Sequence, residues 1–299
     1  KSVEGANVGS FNALTYTGSA QTPVASVTID GLTATGTWSN VTNVEDVTTF
    51  TASGNFTGTI ANQSTGMAKA TPVVTAPVAK ASLIYNTSAL ALADEGSTTG
   101  GTMQYSLDNI SWSNDIPSGT NANTYTVYYK VVGDANHDDN AGGSVSVTIG
   151  KADKNAPEVA GVDETIKSKA DGRITGVDDT MEYKKQGDAN YIAITADTVE
   201  NLAAGTYLVR YKETENYFAS SDKQIVIADG VMLTIAFNSN EGTSVDSVTC
   251  EWNQTITAPT EPTKENFVFA GWYKDAECFE LWNFGNALTE DITLYAKWN

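Results

Sequence analysis

Two motifs recur in the same order about eighty residues apart, and that spacing narrows what this chain can fold into. Thr102-Met-Gln-Tyr105 returns as Thr180-Met-Glu-Tyr183 after 78 residues, and Thr124-Tyr-Thr-Val-Tyr-Tyr-Lys130 returns as Thr206-Tyr-Leu-Val-Arg-Tyr-Lys212 after 82. The difference between the two offsets is a loop-sized insertion. Such a period is too long for a solenoid and suits tandem small sandwiches. Within the longer motif Tyr125, Val127, Tyr129 and Val131 share one face, and Thr124, Thr126, Tyr128 and Lys130 the other. This is the period of a half-buried strand. In the second copy Tyr207, Val209 and Tyr211 take the inward places. Elsewhere the chain keeps the same texture: short alternating runs bounded by Gly, Asn, Asp and Ser, without long helical patterns. The expectation is an all-β chain.

The first stretch follows the same logic. Leu14-Thr-Tyr16-Thr-Gly-Ser-Ala20 parallels Leu83-Ile-Tyr85-Asn-Thr-Ser-Ala89, and Gly54-Asn-Phe56-Thr-Gly58 reads as a hairpin turn. Pro-containing linkers at Ala68–Pro77 and Gly150–Pro157, and a shorter one at Ala228–Gly230, divide the chain into modules at 1–70, 71–152, 153–229 and 230–299. The L-x-Y-x-G-S-A opening and the G-N-F-T-G turn resemble the MBG-type, Ig-like modules of bacterial surface proteins. That resemblance implies Ig-like β-sandwiches for the first two modules and a diverged relative for the third. Short linkers between such modules favour an elongated, head-to-tail string.

The last stretch has its own signature. A strand Leu233-Thr-Ile-Ala-Phe237 precedes Pro262-Thr-Lys-Glu, the aromatic run Phe267-Val-Phe-Ala-Gly-Trp-Tyr273, a Trp282-x-Phe284 unit and the closing strand Ile292-Thr-Leu-Tyr-Ala-Lys-Trp298. This order resembles the Listeria–Bacteroides repeat, the internalin B-repeat type module. The resemblance covers about a fifth of the chain and implies a small β-grasp-like module of secreted bacterial surface proteins; it does not imply an enzyme. Four Trp residues fall here, at 252, 272, 282 and 298. Large aromatics are efficient filler for so small a core; a sugar-stacking platform is the alternative.

Composition excludes some classes of partner. The 299 residues carry a formal net charge of −19, which repels phosphate backbones and anionic membranes. No apolar run approaches a membrane span. The first residue is Lys1 and no signal peptide is visible, so the sequence reads as a piece of a longer precursor whose signal and anchor lie outside it.

Catalytic groups are scarce. The single histidine, His137, lies in the hydrophilic run Gly133-Asp-Ala-Asn-His-Asp-Asp-Asn140, read as a hairpin loop. Adjacent acids such as Glu45 with Asp46, or Asp178 with Asp179, would point to opposite faces of a strand. Lys130 and Lys212, candidates for a Lys–Asn cross-link, alternate outward. No enzyme, cofactor or metal is expected. The reading is a monomeric, non-catalytic stalk or spacer of an extracellular adhesin on a bacterial cell surface. The alternative is a module that itself binds a host glycan or protein, through Tyr128 or the outward Tyr295.

Two residues invite a covalent reading. Cys250 and Cys278 are the only cysteines, and both lie in the last module. An extracellular location permits oxidation, so a Cys250–Cys278 disulfide is expected.

Oxygen ligands at Asp134, Asn136, Asp138 and Asp139 have the alternate spacing that can converge on calcium, but the Gly and distal Glu of a helical calcium loop are missing. Millimolar calcium is therefore expected to leave the melting temperature unchanged. An upward shift abolished by Asp138→Ala would make the loop a metal site.

Overall fold

In the computed structural model, which describes residues 1–299, the chain is built from strands and turns, with no helix. It divides into two compact units, residues 1–152 and 153–299. Each unit contains two separate hydrophobic cores.

The first core of the first unit lies between two three-stranded sheets. One consists of Asn7–Val8, Val27–Ile29 and Leu32–Thr33; the other of Gly36–Trp38, Val47–Ala52 and Thr59–Ser64. Asp30 and Gly31, with φ of 48° and 80°, form the two-residue connection of the first hairpin. Positive φ at both positions matches the twist of the flanking strands. Val3, Val27, Ala34, Trp38 and Phe50 fill the space. Trp38 anchors it, with Phe11 and Phe50 at 4.8 and 5.1 Å between ring centroids and its Nε1–H donated to the Ala25 carbonyl at 3.0 Å.

The second core rests on a four-stranded sheet ordered Thr102–Ser106, Asn123–Val132, Asn140–Gly150 and Leu83–Ile84, the last pair parallel. Val127 and Val131 are 0% and 1% exposed, while Thr124 and Thr126 face solvent. The alternation seen in the sequence thus becomes the division between core and surface.

In the second unit the repeated motifs again pair with each other. Met181–Lys185 lies against Gly205–Tyr211, flanked by Ile192–Ala193 and Lys223–Ile227. The opposing sheet is Ala160–Val162, Gly172–Thr175 and Thr198–Leu202. Met103 faces Val131 in the first unit, but Met181 faces Tyr211, the counterpart of Tyr129. The pairing has slipped by two residues. Only an even slip keeps every side chain on its own face, which is why the core survives it.

The tyrosines that open these strands serve the frame. The hydroxyls of Tyr125 and Tyr207 donate to carbonyls four residues upstream, Asn121 at 2.9 Å and Ala203 at 2.8 Å. The Tyr207 ring is buried and the Tyr125 ring partly buried, and a ring so placed with a locally satisfied hydroxyl serves the frame.

The last sheet is ordered Val248–Cys250, Leu233–Asn238, Ile292–Trp298 and Phe269–Tyr273, with its two central strands parallel. Ile235 and Leu294 are fully buried at its centre, and Trp272 and Trp282 cover them. Phe237 and Phe269 meet Trp272 at 4.8 and 5.5 Å, and Trp298 donates its Nε1–H to the Ser239 carbonyl at 2.9 Å. Trp272 and Trp282 are core rather than a stacking surface.

Truncation at this centre leaves a cavity. Ile235→Ala should destabilise the last module by about 2–5 kcal/mol, read as a lower urea midpoint by tryptophan fluorescence. Phe279→Ala, at a ring 86% exposed, should move the midpoint by no more than about 0.5 kcal/mol. Equal effects would refute this account of the core.

Candidate functional site

The polar run 133–140 connects two long strands, Asn123–Val132 and Asn140–Gly150. Glycines shape it. A Cβ at Gly133 would lie 2.2 Å from the His137 carbonyl, and one at Gly100 would lie 2.3 Å from the His137 ring. Thus fitted, the loop sets Asn136 and His137 against residues 14–70 and leaves Asp134, Ala135, Asp138 and Asp139 exposed. The Ala70 N–H donates to the Asn136 carbonyl, and the Asp138 N–H donates to the Ala70 carbonyl, both at 2.9 Å. The Asn136 side chain accepts the Val44 N–H at 2.9 Å and donates to Asn43 Oδ1 at 3.2 Å. Lys69 Nζ donates to the carbonyls of Asp134 and His137 at 3.0 and 3.4 Å. The His137 ring meets Tyr16 edge-on at 5.1 Å and pairs through Nδ1 with Asp134 Oδ1 at 2.8 Å. That contact, with the Asn136 N–H, holds the Asp134 carboxyl below the usual range.

Three of the four residues read as candidate calcium ligands have hydrogen-bond partners within the protein. Asp134 serves His137 and the Asn136 N–H, Asn136 serves Val44, and Asp139 Oδ1 accepts the Gly133 N–H at 2.8 Å. The loop is the hairpin connection read from the sequence, and its inner side is also a joint.

A second joint lies in the run Glu164-Thr-Ile-Lys-Ser-Lys-Ala-Asp171, which sequence reasoning passed over. Glu164 is 5% exposed. Its Oε1 accepts the N–H groups of Ala170 and Ala204 at 2.9 and 3.2 Å, and its Oε2 that of Ser168 at 3.1 Å. A carboxylate buried this way is tolerated because each oxygen is hydrogen-bonded. It holds Ser168 and Ala170 at φ of 68° and 55°, a region that residues with a Cβ rarely adopt. The loop's outer side meets the last module. The Val231 N–H donates to the Thr165 carbonyl at 3.3 Å, and the Lys167 N–H to the Val231 carbonyl at 2.9 Å. Ile166 packs against the last core. Glu251 receives Ser168 Oγ at 2.7 Å and pairs with Lys167 Nζ at 2.9 Å. The one available sequence signal was a lone Ile among charged residues.

The Cys250–Cys278 disulfide is not formed; both are free thiols. Register explains why. Cys250 stands opposite Leu233, at the start of the central strand. The Cys278 Sγ lies 3.9 Å from the Ala296 carbonyl. Asn238 is level with Tyr295, so Ala296 is level with Ser239, six residues beyond Leu233. At about 3.3 Å per residue that is about 20 Å, against a Cα separation of about 7 Å that a disulfide spans. Cys250 is instead part of the last core, where burial pushes its thiol pKa up.

Tyr128, half-buried, stands between Ser106 and Ser144, and Tyr295, also half-buried, between Tyr273 and Asn238. The outer face beside Tyr128 also carries Trp112, with Lys130 Nζ 4.3 Å from its ring centroid.

Of the adjacent acids singled out in the sequence, Asp46 and Asp178 close turns. Asp46 Oδ2 accepts the Thr42 and Asn43 N–H groups, both at 2.7 Å, and Asp178 Oδ1 accepts the Thr180 N–H at 2.8 Å and its hydroxyl at 2.5 Å. A cleft of about 340 Å³ gathers Asp163, Thr165, Asp171, Arg173 and Glu200. Asp163 there accepts the Ala228 N–H at 2.8 Å, and Asp171 accepts the Thr165 N–H at 2.9 Å and the Thr165 hydroxyl.

Comparison with known proteins places the last module. Residues 234–297 match the Listeria–Bacteroides repeat domain. Two Evansella cellulosilytica proteins, named "Putative membrane protein" and "Putative Gly-rich membrane protein", are each 44% identical over 66 residues, 22% of this chain and 10% and 8% of their own lengths. Internalin H of Listeria monocytogenes is 45% identical over 53 residues, 17% of this chain and 10% of its own. The chain spans about a tenth of the length of these relatives.

Two measurements test these assignments. Alkylation of the unreduced, denatured protein should label both cysteines; an intact mass without added label would restore the disulfide. The second concerns pH. The Thr165 hydroxyl and N–H and Lys169 bring Asp171 down to about 2, and backbone or hydroxyl donors lower Asp46, Asp178 and Asp275. A lowered folded-state pKa contributes stability above the unfolded value, about 3.9, that is lost as pH falls through the folded one. The melting temperature should therefore fall between about pH 4 and pH 2, and Asp171→Asn should weaken that fall. A variant matching the wild-type pH profile would exclude Asp171 from it.

Proposed function

We propose that this chain is a non-catalytic spacer segment of a bacterial cell-surface protein of the adhesin type. The observation that carries this reading is the succession of four separate cores in chain order, with Ile166 alone reaching from the third stretch into the last core. Polar groups in this arrangement secure turns and joints, as Asp46 and Glu164 do. The similarity of the last module to internalin H and to proteins named as membrane proteins supports a surface location. The charge of −19 keeps such a segment soluble and clear of anionic polymers. A spacer needs length and stability and no particular surface chemistry, so partners belong to the parts it carries.

Exchange within the full-length protein tests the proposal. Replacing residues 1–299 with unrelated β modules of equal number should preserve adhesion of the cell, and deleting them should reduce it. The competing reading, direct binding by this segment, predicts the opposite for the exchange. It also predicts that the isolated chain binds a glycan or host-protein array at micromolar concentration, with binding weakened by Tyr128→Ala or Trp112→Ala. Such binding would overturn the spacer assignment.

A further inference from the structure

The two joints share one bonding pattern, although their loops belong to different modules and show no sequence likeness. In the first, linker residue Ala70 bridges His137 in parallel; in the second, Val231, the residue just after the Ala228–Gly230 linker, bridges Ile166 in parallel. In each, the N–H of Ala70 or Val231 donates to the carbonyl of the residue before the bridged one, Asn136 or Thr165. Its carbonyl accepts the N–H of the residue after, Asp138 or Lys167. In each, the bridged side chain packs across the joint: His137 on Tyr16, Ile166 on the last core. A lysine secures both, Lys69 on two loop carbonyls and Lys167 on Glu251.

Both segments are also tied on their other side. Ala68 donates to the Leu14 carbonyl at 2.9 Å and accepts the Tyr16 N–H at 3.0 Å. Two residues later the same strand pairs with the 133–140 loop. The segment 68–70 is therefore held by both modules at once. Val231 is likewise followed at once by the central strand Leu233–Asn238. Unfolding either module removes one wall of the joint and strips the other wall of its hydrogen bonds.

We propose that these parallel bridges are clasps that make each pair of modules one cooperative folding unit: residues 1–152 through Ala70, and residues 153–299 through Val231. Asn136 and Glu164 are positioning residues, the first fastening its loop to Asn43 and Val44, the second shaping its loop from behind. The inference concerns coupling and does not rest on the spacer assignment; it would hold equally for a segment that binds.

Proline at Ala70 or Val231 removes the donor N–H and leaves both cores untouched. Residue-resolved hydrogen exchange of the full chain across a urea series is the readout. In the wild type, amides of both modules of a unit should lose protection at one urea concentration. The clasp amides of Asp138 and Lys167 should be protected as well as the strand Asn123–Val132 and the strand Gly205–Tyr211, respectively. Ala70→Pro should separate the first pair into two transitions and leave the second pair joined; Val231→Pro should do the reverse, so each variant is a control for the other. Ala70→Gly and Val231→Gly, which keep the N–H, should stay coupled. Asn136→Ala and Glu164→Gln test the same coupling without proline, each splitting its own pair in smaller degree.

Separate transitions in the wild type, fast exchange at Asp138 and Lys167, or proline variants that fold and remain coupled would each overturn the proposal. Should a proline variant fail to fold, unchanged coupling in both Asn136→Ala and Glu164→Gln would overturn it.

Discussion

The modules of the first unit have small apolar cores, and much of the architecture answers that constraint. The first core contains five buried residues and the second seven. Domains of this size bury only about 60% of the surface their unfolded chains expose, so a few missing hydrogen bonds weigh heavily against the net stability. Aromatic residues supply much of the buried volume, with Trp38 in the first module and Trp272 and Trp282 in the last. The hydroxyls of Tyr125 and Tyr207 and the indole N–H of Trp38 and Trp298 return to nearby carbonyls, whereas the buried indole N–H groups of Trp272 and Trp282 have no partner, a cost the last core carries.

The acidic composition follows the same constraint. An all-β chain has many turns, and each leaves main-chain N–H groups without a ladder partner. Asp46, Asp108, Asp178 and Asp275 each accept two or more donors in such places, and each is held below the ordinary carboxylate range. Carboxylates serve well here because a charged acceptor bonds an N–H more strongly than a neutral one. The accompanying repulsion is spread over 299 residues and screened by salt.

What was legible in the sequence was whatever depends on neighbours along one strand. The alternation at Tyr125 to Val131 and at Ile292 to Trp298 became the buried faces, and the repeated Thr-Met-x-Tyr and Thr-Tyr motifs became paired strands. What was not legible depends on position across a sheet. Cys250 and Cys278 share a module, and the face of Cys250 could be read from Val248 and Trp252. Their separation is set by a parallel central pair and by Cys278 emerging level with Ala296. Neither fact leaves a trace in local spacing. The run 133–140 is the hairpin its sequence implies, but its packing against residues 16–70 was not legible, for a related reason. Its hydrophilicity matches a solvated hairpin, and the groups it meets at Asn43, Val44, Lys69 and Ala70 lie far away in the chain.

The joints also explain why such divergent loops can do one job. The bridges at Ala70 and Val231 use main-chain donors and acceptors, which every residue except proline provides. Side chains add to them by different means: an imidazole edge and an amide in one joint, an aliphatic group and a buried carboxylate in the other. A joint defined by backbone hydrogen bonds constrains loop length and backbone course far more than side-chain identity. Gly133 and Gly100 meet that requirement in the first loop by leaving room for His137. Glu164 meets it in the second by binding the N–H groups of residues at positive φ. Sequence similarity between the joints is therefore not to be expected, and the common device is visible only in the bonding pattern.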